Sequence, residues 1–152
     1  MRRSDKEIQD SAEIGSILQK APVCRIGMSL EDRPYVIPVN FAATSTHLYF
    51  HSAKTGRKME MLQKNPFVCF EVDLPGEIVE GKTACAWGMA YKSVIGFGRA
   101  FFIESGEEKK KALDLLMQKY SGRDAFLYAD DVLDKVCVIA ISIDNVTGKR
   151  SG

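Results

Sequence analysis

Between residues 23 and 52 the chain switches sides at every second residue, in three successive runs. No other pattern in it limits the fold as much. Cys24, Ile26, Met28 and Leu30 alternate with Val23, Arg25 and Ser29. Across the Glu31-Asp32-Arg33-Pro34 turn, Tyr35, Ile37, Val39 and Phe41 alternate with Val36, Pro38 and Asn40, and HLYFHS follows Thr44-Ser45-Thr46. A period of two places successive side chains on opposite faces of a strand. After a short helix pattern, Asn65-Pro66 breaks the chain and FVCFEVD reads as another strand. Strands and turns at this spacing predict an antiparallel meander curling into a barrel.

The flanking segments add helices. Ser4 and Glu7 form a capping-box pattern ahead of Ile8, Ala12, Ile14, Ile17 and Leu18, predicting a helix to about Lys20, weakened by Gly15 and stopped by Pro22. Residues 74–82 read as a loop, and 83–104 as a long strand bent near Gly88. Ser105 and Glu108 offer a second capping box, before a helix with Ala112, Leu113, Leu116, Met117 and Tyr120 on one face. VCVIAISI, 136–143, is apolar except for Ser142 and predicts a strand covered on both sides. With no repeat, linker or low-complexity tract, residues 1–152 read as a single domain. It is mainly β, a six- or seven-stranded antiparallel barrel with helices packed outside.

Composition narrows the class of function. A formal net charge of +1 gives no global field toward nucleic acid or membrane, so any anion site must be local. No apolar run approaches the roughly 20 residues of a spanning helix, and MRRSDKEIQD lacks the apolar centre of a signal peptide. Cys24, Cys69, Cys85 and Cys137 are widely spaced, with no CxxC pair and two histidines in the chain, which argues against a metal site. All four lie in apolar, strand-like surroundings, so they read as buried hydrophobes of a reduced, cytoplasmic protein.

The stretch YFHSAKTGRKMEML, 49–62, carries the clearest chemical signal. A strand ends at His51 and Ser52; Lys54, Thr55, Gly56, Arg57 and Lys58 follow; Met59 and Leu62 begin an apolar helix side. Hydroxyls, a glycine and cations thus meet a helix N-terminus, whose free N–H groups favour an anion such as phosphate. A solvated basic turn is the competing reading. Pro38 interrupts a strand ladder; it marks an edge or bulge, or leaves backbone at Val39, Asn40 and Phe41 open to a planar hydrogen-bonding ligand. Gly96 and Gly98 lack the third glycine and following helix of a dinucleotide fingerprint. They bare one strand face, for barrel twist or for a ring or neighbouring subunit. His51 is either a hydrogen-bonding residue or a proton donor beside the anion site. Lys109 to Lys111 read as a solvated face, and no nucleophile elbow or Ser-His-Asp order is present.

Together PYVIPVNF, LYFHSAKTGRK, NPFVCFEVD and YKSVIGFGRA resemble the pyridoxamine 5′-phosphate oxidase-like FMN-binding split-barrel family. The likeness is strongest to its branch related to 5-nitroimidazole resistance proteins. The resemblance spans nearly the whole chain and implies a homodimer with FMN between subunits. It implies Arg57 and Lys58 at the FMN phosphate, His51 and Ser52 lining flavin and phosphate, the 36–41 strand beside the ring, and Ser93 near the ring edge. The VTGKRSG end lacks the Trp- and Arg-containing segment that pyridoxamine phosphate oxidases use for substrate, so vitamin B6 oxidation is not implied. The expected activity is FMN-dependent reduction of a small molecule, of nitroreductase-like type. A non-catalytic flavin binder and a haem-binding split barrel are the alternatives.

Overall fold

The computed structural model describes residues 3–123 and 126–152; Met1, Arg2, Asp124 and Ala125 lie outside the described residues. Its strands are β1 (Glu7–Ile8), β2 (Cys24–Leu30), β3 (Arg33–Val39), β4 (Ala42–Ala43), β5 (His47–Ser52), β6 (Phe67–Val79), β7 (Gly88–Ile103) and β8 (Cys137–Ser151). The helices are α1 (Ser11–Lys20), α2 (Arg57–Lys64), α3 (Gly106–Ser121) and α4 (Asp130–Lys135). Every pairing is antiparallel, in the order β3-β2-β6-β7-β8-β5-β4, with β1 added to β8. The two end strands do not pair with each other, so this is a split barrel with helices outside. Two of its eight strands are two-residue pieces, which is why the sequence shows six or seven.

Alternation decides what fills the barrel. Ile26 and Met28, Leu48 and Phe50, Val68, Phe70 and Val72, Val94, and Ile139 and Ile141 face inward and are buried. Each such side chain contributes roughly 1.5–3 kcal/mol. Ile17 and Leu18 of α1, with Met59 and Leu62 of α2, close the same core. Val138 and Ala140 face the other way, into a second cluster with Ile103 and Ala112 beneath α3. The apolar run of β8 is thus covered on both faces, as the sequence predicts.

Several expectations change. The first helix begins at Ser11, capped by Asp10, whose carboxylate accepts from Ala12 N–H at 2.9 Å. Ser4 starts only a short 3₁₀ turn, and Glu7–Ile8 pairs with Lys149 and Gly148 instead. The expected loop at 74–82 is largely strand: β6 runs to Val79 against β7, with a register shift between Pro75 and Ile78. Pro75-Gly76 hides the alternation there, and the partner strand supplies the ladder that local sequence does not. Of the four cysteines expected to be buried, Cys24 is; Cys69 and Cys137 are half-buried and Cys85 is exposed.

Gly96 and Gly98 do not leave a bare patch. A Cβ on Gly96 would lie 2.2 Å from the Phe70 ring, and one on Gly98 would lie 2.1 Å from the Ser142 carbonyl oxygen. The glycines admit a buried phenyl ring and a close strand crossing, so the barrel-shape reading holds at this face. The open apolar surface is the opposite face of β7, where Phe97 is 52% exposed and Ile95 and Phe101 stand beside it.

Candidate functional site

β5 ends at Ser52, paired with Cys137, and the chain turns through Ala53 to Gly56 into α2. Gly56 has φ 115°, a conformation L side chains rarely adopt, so glycine is required for the entry into the helix. Its carbonyl accepts from Met59 and Glu60 N–H at 2.9 and 3.2 Å. No side chain among the described residues caps the helix, so the N–H groups of Arg57 and Lys58 are left without a partner there. Among the described residues none of Lys54, Arg57 and Lys58 has an ion-pair partner. The Arg57 guanidinium carbon sits 4.7 Å above the Tyr35 ring centre, which fixes the cation against β3.

The Ser52 hydroxyl is the informative atom. The residue is only 8% exposed, and its oxygen has no hydrogen-bond partner among the described residues. A buried polar group left unmatched costs about 1–3 kcal/mol. It belongs to the turn that leads into the uncapped α2, whose first residues Arg57 and Lys58 have no ion-pair partner among the described residues. That donor set fits a phosphate, which accepts from a hydroxyl, backbone N–H groups and guanidinium together.

His51 is one residue away and on the other face. It projects outward with His47 and Tyr49, whereas Ser52 projects inward with Leu48 and Phe50. His47 and Tyr49 stack at 5.9 Å, and Phe101 meets the His47 ring edge-on at 5.8 Å. A ligand touching both His51 and Ser52 must therefore pass around the strand end.

The β3 edge is narrower than the sequence suggests. Pro38 has no N–H, so ladder bonds to β2 fall at Tyr35, Ile37 and Val39, while Pro34, Val36 and Pro38 face the open edge. The edge reading of Pro38 is therefore correct. Two prolines leave Val36 as the only outward N–H donor among these three. The Phe41 N–H is also engaged, by the Tyr120 hydroxyl at 2.9 Å, and the Phe41 side chain is buried. Of the expected ring-side groups, the exposed Asn40 and the carbonyl of Pro38 remain available.

Ser93 is not near the turn within one chain. It pairs with Asp73 and Lys149, whereas His51 shares a row with Val138 and Ile103. From residue 93 to residue 103 is roughly 30 Å of strand. The sequence reading missed Tyr35 and Tyr120; neither has a local signal, since each acts on a residue distant in the chain.

The family pattern described as pyridoxamine 5′-phosphate oxidase matches residues 10–150. A solved structure of a candidate 5-nitroimidazole antibiotic resistance protein from Bacteroides thetaiotaomicron is 39% identical. The match covers 95% of this chain and 86% of that one, with a TM-score of 0.85. The flavocytochrome Anf3 of Azotobacter vinelandii is 20% identical, over 100% of this chain and 72% of the other, with a TM-score of 0.86. An FAD- and haem-binding protein of Mycobacterium smegmatis is 18% identical, over 96% and 73%, with a TM-score of 0.85. At those identities the last two share the fold. No curated protein matches.

Proposed function

This chain belongs to the pyridoxamine 5′-phosphate oxidase family, and on that premise we propose that it is an FMN-binding oxidoreductase of nitroreductase-like type, working as a homodimer. The observation that carries the reading is the buried Ser52 hydroxyl, unpartnered among the described residues, in the turn that leads into the uncapped α2. Arg57 and Lys58 hold the phosphate, the β3 edge with Asn40 borders the ring, and Ser93 of a second copy reaches the ring edge. The roughly 30 Å of β7 that separates Ser93 from Ile103, in the row that His51 shares, favours a site completed across subunits. So do the exposed apolar side chains of Val36, Phe67, Ile95 and Phe97.

When bound, FMN carries the electrons. Reduction of a nitro group to nitroso takes up two electrons and two protons and releases water. His51, exposed on β5, is the residue we assign to deliver a proton from its imidazole. Among the described residues all cysteines are free, as expected in a reduced cytoplasmic setting, and no helix is long and apolar enough to cross a membrane.

The absorption spectrum of the purified protein tests the cofactor at once: flavin bands support the reading, and a haem Soret band replaces it. Turnover with reduced pyridine nucleotide and a nitro-aromatic separates an enzyme from a flavin carrier. His51→Ala should lower turnover per bound flavin by about 10²–10⁴ with occupancy kept. Lost occupancy at unchanged turnover would make His51 a cofactor contact. A monomer saturated with FMN in light scattering would remove the shared site.

A further inference from the structure

Residues 40 and 41 cross a gap in the sheet. Pairing of β3 ends at Val39 opposite Cys24, and pairing of β4 begins at Ala42 opposite Tyr49. Backbone in such a gap has no ladder partner, and a buried N–H needs one from elsewhere. The end of α3 supplies it. The Tyr120 hydroxyl accepts from Phe41 N–H at 2.9 Å and donates to the Pro22 carbonyl at 2.7 Å. Lys119 sets its ammonium 3.4 Å from the Phe41 ring centre and donates to the Leu18 carbonyl at 3.0 Å. Consecutive residues of α3 thus grip both the backbone and the side chain of Phe41, and tie them to the end of α1 and the entry to β2.

We propose, building on the flavin reading above, that Lys119 and Tyr120 are positioning residues for the flavin ring. By clamping Phe41 they fix residues 38–41 and hold Asn40 where the ring lies.

A cation is a poor choice for simple bracing at this place. Lys119 is half-buried, and desolvation pulls its ammonium down to about 8. No carboxylate pairs with it from α1, β2, the β3–β4 corner or α3 among the described residues. Its titratable neighbours are Tyr120 on α3, a phenol with its own pKa raised by burial, and Cys24 on β2, whose thiol burial pushes up to about 12. Both are uncharged near neutrality. The ring face of Phe41 and one carbonyl are what hold the charge. A methionine would fill the same space without the desolvation penalty. The charge therefore serves the grip on Phe41, and deprotonation releases it.

The experiment titrates FMN and riboflavin, with inorganic phosphate as competitor, into the unsubstituted protein, Tyr120→Phe, Lys119→Met and Lys119→Arg at pH 7 and 9. Tyr120→Phe and Lys119→Met should weaken FMN and riboflavin by the same factor, about tenfold, with competition by phosphate unchanged. In the unsubstituted protein riboflavin affinity should fall with a midpoint near pH 8. Lys119→Arg should hold its affinity across that range, because arginine stays charged. Variants that melt lower yet bind riboflavin normally would make the pair ordinary braces and overturn the proposal. So would a riboflavin affinity flat from pH 7 to 9 in the unsubstituted protein, an arm that needs no variant to fold. An unsubstituted protein binding neither flavin removes the earlier reading and this one with it.

Discussion

The β5–α2 turn and the β3–β4 corner, the two ends of the proposed flavin site, are built in opposite ways. In the turn, the hydroxyl, the glycine bend, the uncapped N–H groups and the cations Arg57 and Lys58 lie within residues 52–58. In the corner, Phe41 is held by a hydroxyl 79 residues away, which is itself anchored on a carbonyl 98 residues from it. The proposed phosphate end is therefore made by local chain geometry, whereas the proposed ring end depends on how α3 packs. Local construction gives an anion site that tolerates change elsewhere. Assembly from distant parts gives a surface that distant changes can retune.

The largest effect should come from the turn. Removing both cations with Arg57→Ala and Lys58→Ala eliminates charge-assisted bonds worth roughly 1.5–3 kcal/mol each. FMN affinity measured by fluorescence quenching should fall by about two to four decades, with Arg57→Ala alone accounting for one to two. Riboflavin should hardly notice. If riboflavin weakened equally, the two regions would not be separable and the contrast would be false.

Ser52→Ala sharpens the comparison at intermediate size. The hydroxyl has no partner in the protein alone, so its loss should leave the ligand-free melting temperature unchanged or raise stability by about 1 kcal/mol. FMN affinity should nonetheless fall about tenfold. Stability lost together with affinity would mean that the hydroxyl serves the fold and not the anion.

The smallest effect belongs to the corner. Burial holds the Lys119 ammonium at about 8 in the folded protein, against the ordinary lysine value of 10.5 in the unfolded chain, so between those values the unfolded chain binds more protons. Stability should accordingly rise with pH across that window, by about 1 kcal/mol once partial solvent screening and the ring contact are discounted. Lys119→Met should flatten that part of the curve in chemical denaturation. Riboflavin affinity is expected to move the other way over the same range, an opposition that a brace alone does not produce.

Legibility in the sequence follows the same division. The alternation of β2, β3 and β5 and the turn into α2 are set by neighbouring residues, and they stand where the sequence puts them. The extension of β6 to Val79 was hidden because Pro75 and Gly76 break the pattern that its partner strand restores. Gly96 and Gly98 announced a bare face without saying which side it was; only the position of Phe70 assigns it to the core. The opposite aim of His51 and Ser52 was implicit in strand period, yet adjacency in sequence invites grouping them. Tyr35 beneath Arg57 and Tyr120 on Phe41 depend on the tertiary fold, which no local pattern encodes.

The most direct measurement compares FMN and riboflavin on the unsubstituted protein by titration under one set of conditions. With the anion held by Ser52, Arg57, Lys58 and the α2 N-terminus, FMN should bind at least about a hundredfold more tightly, since riboflavin differs by lacking the phosphate. Equal affinities would contradict the central claim that the β5–α2 turn is a phosphate site.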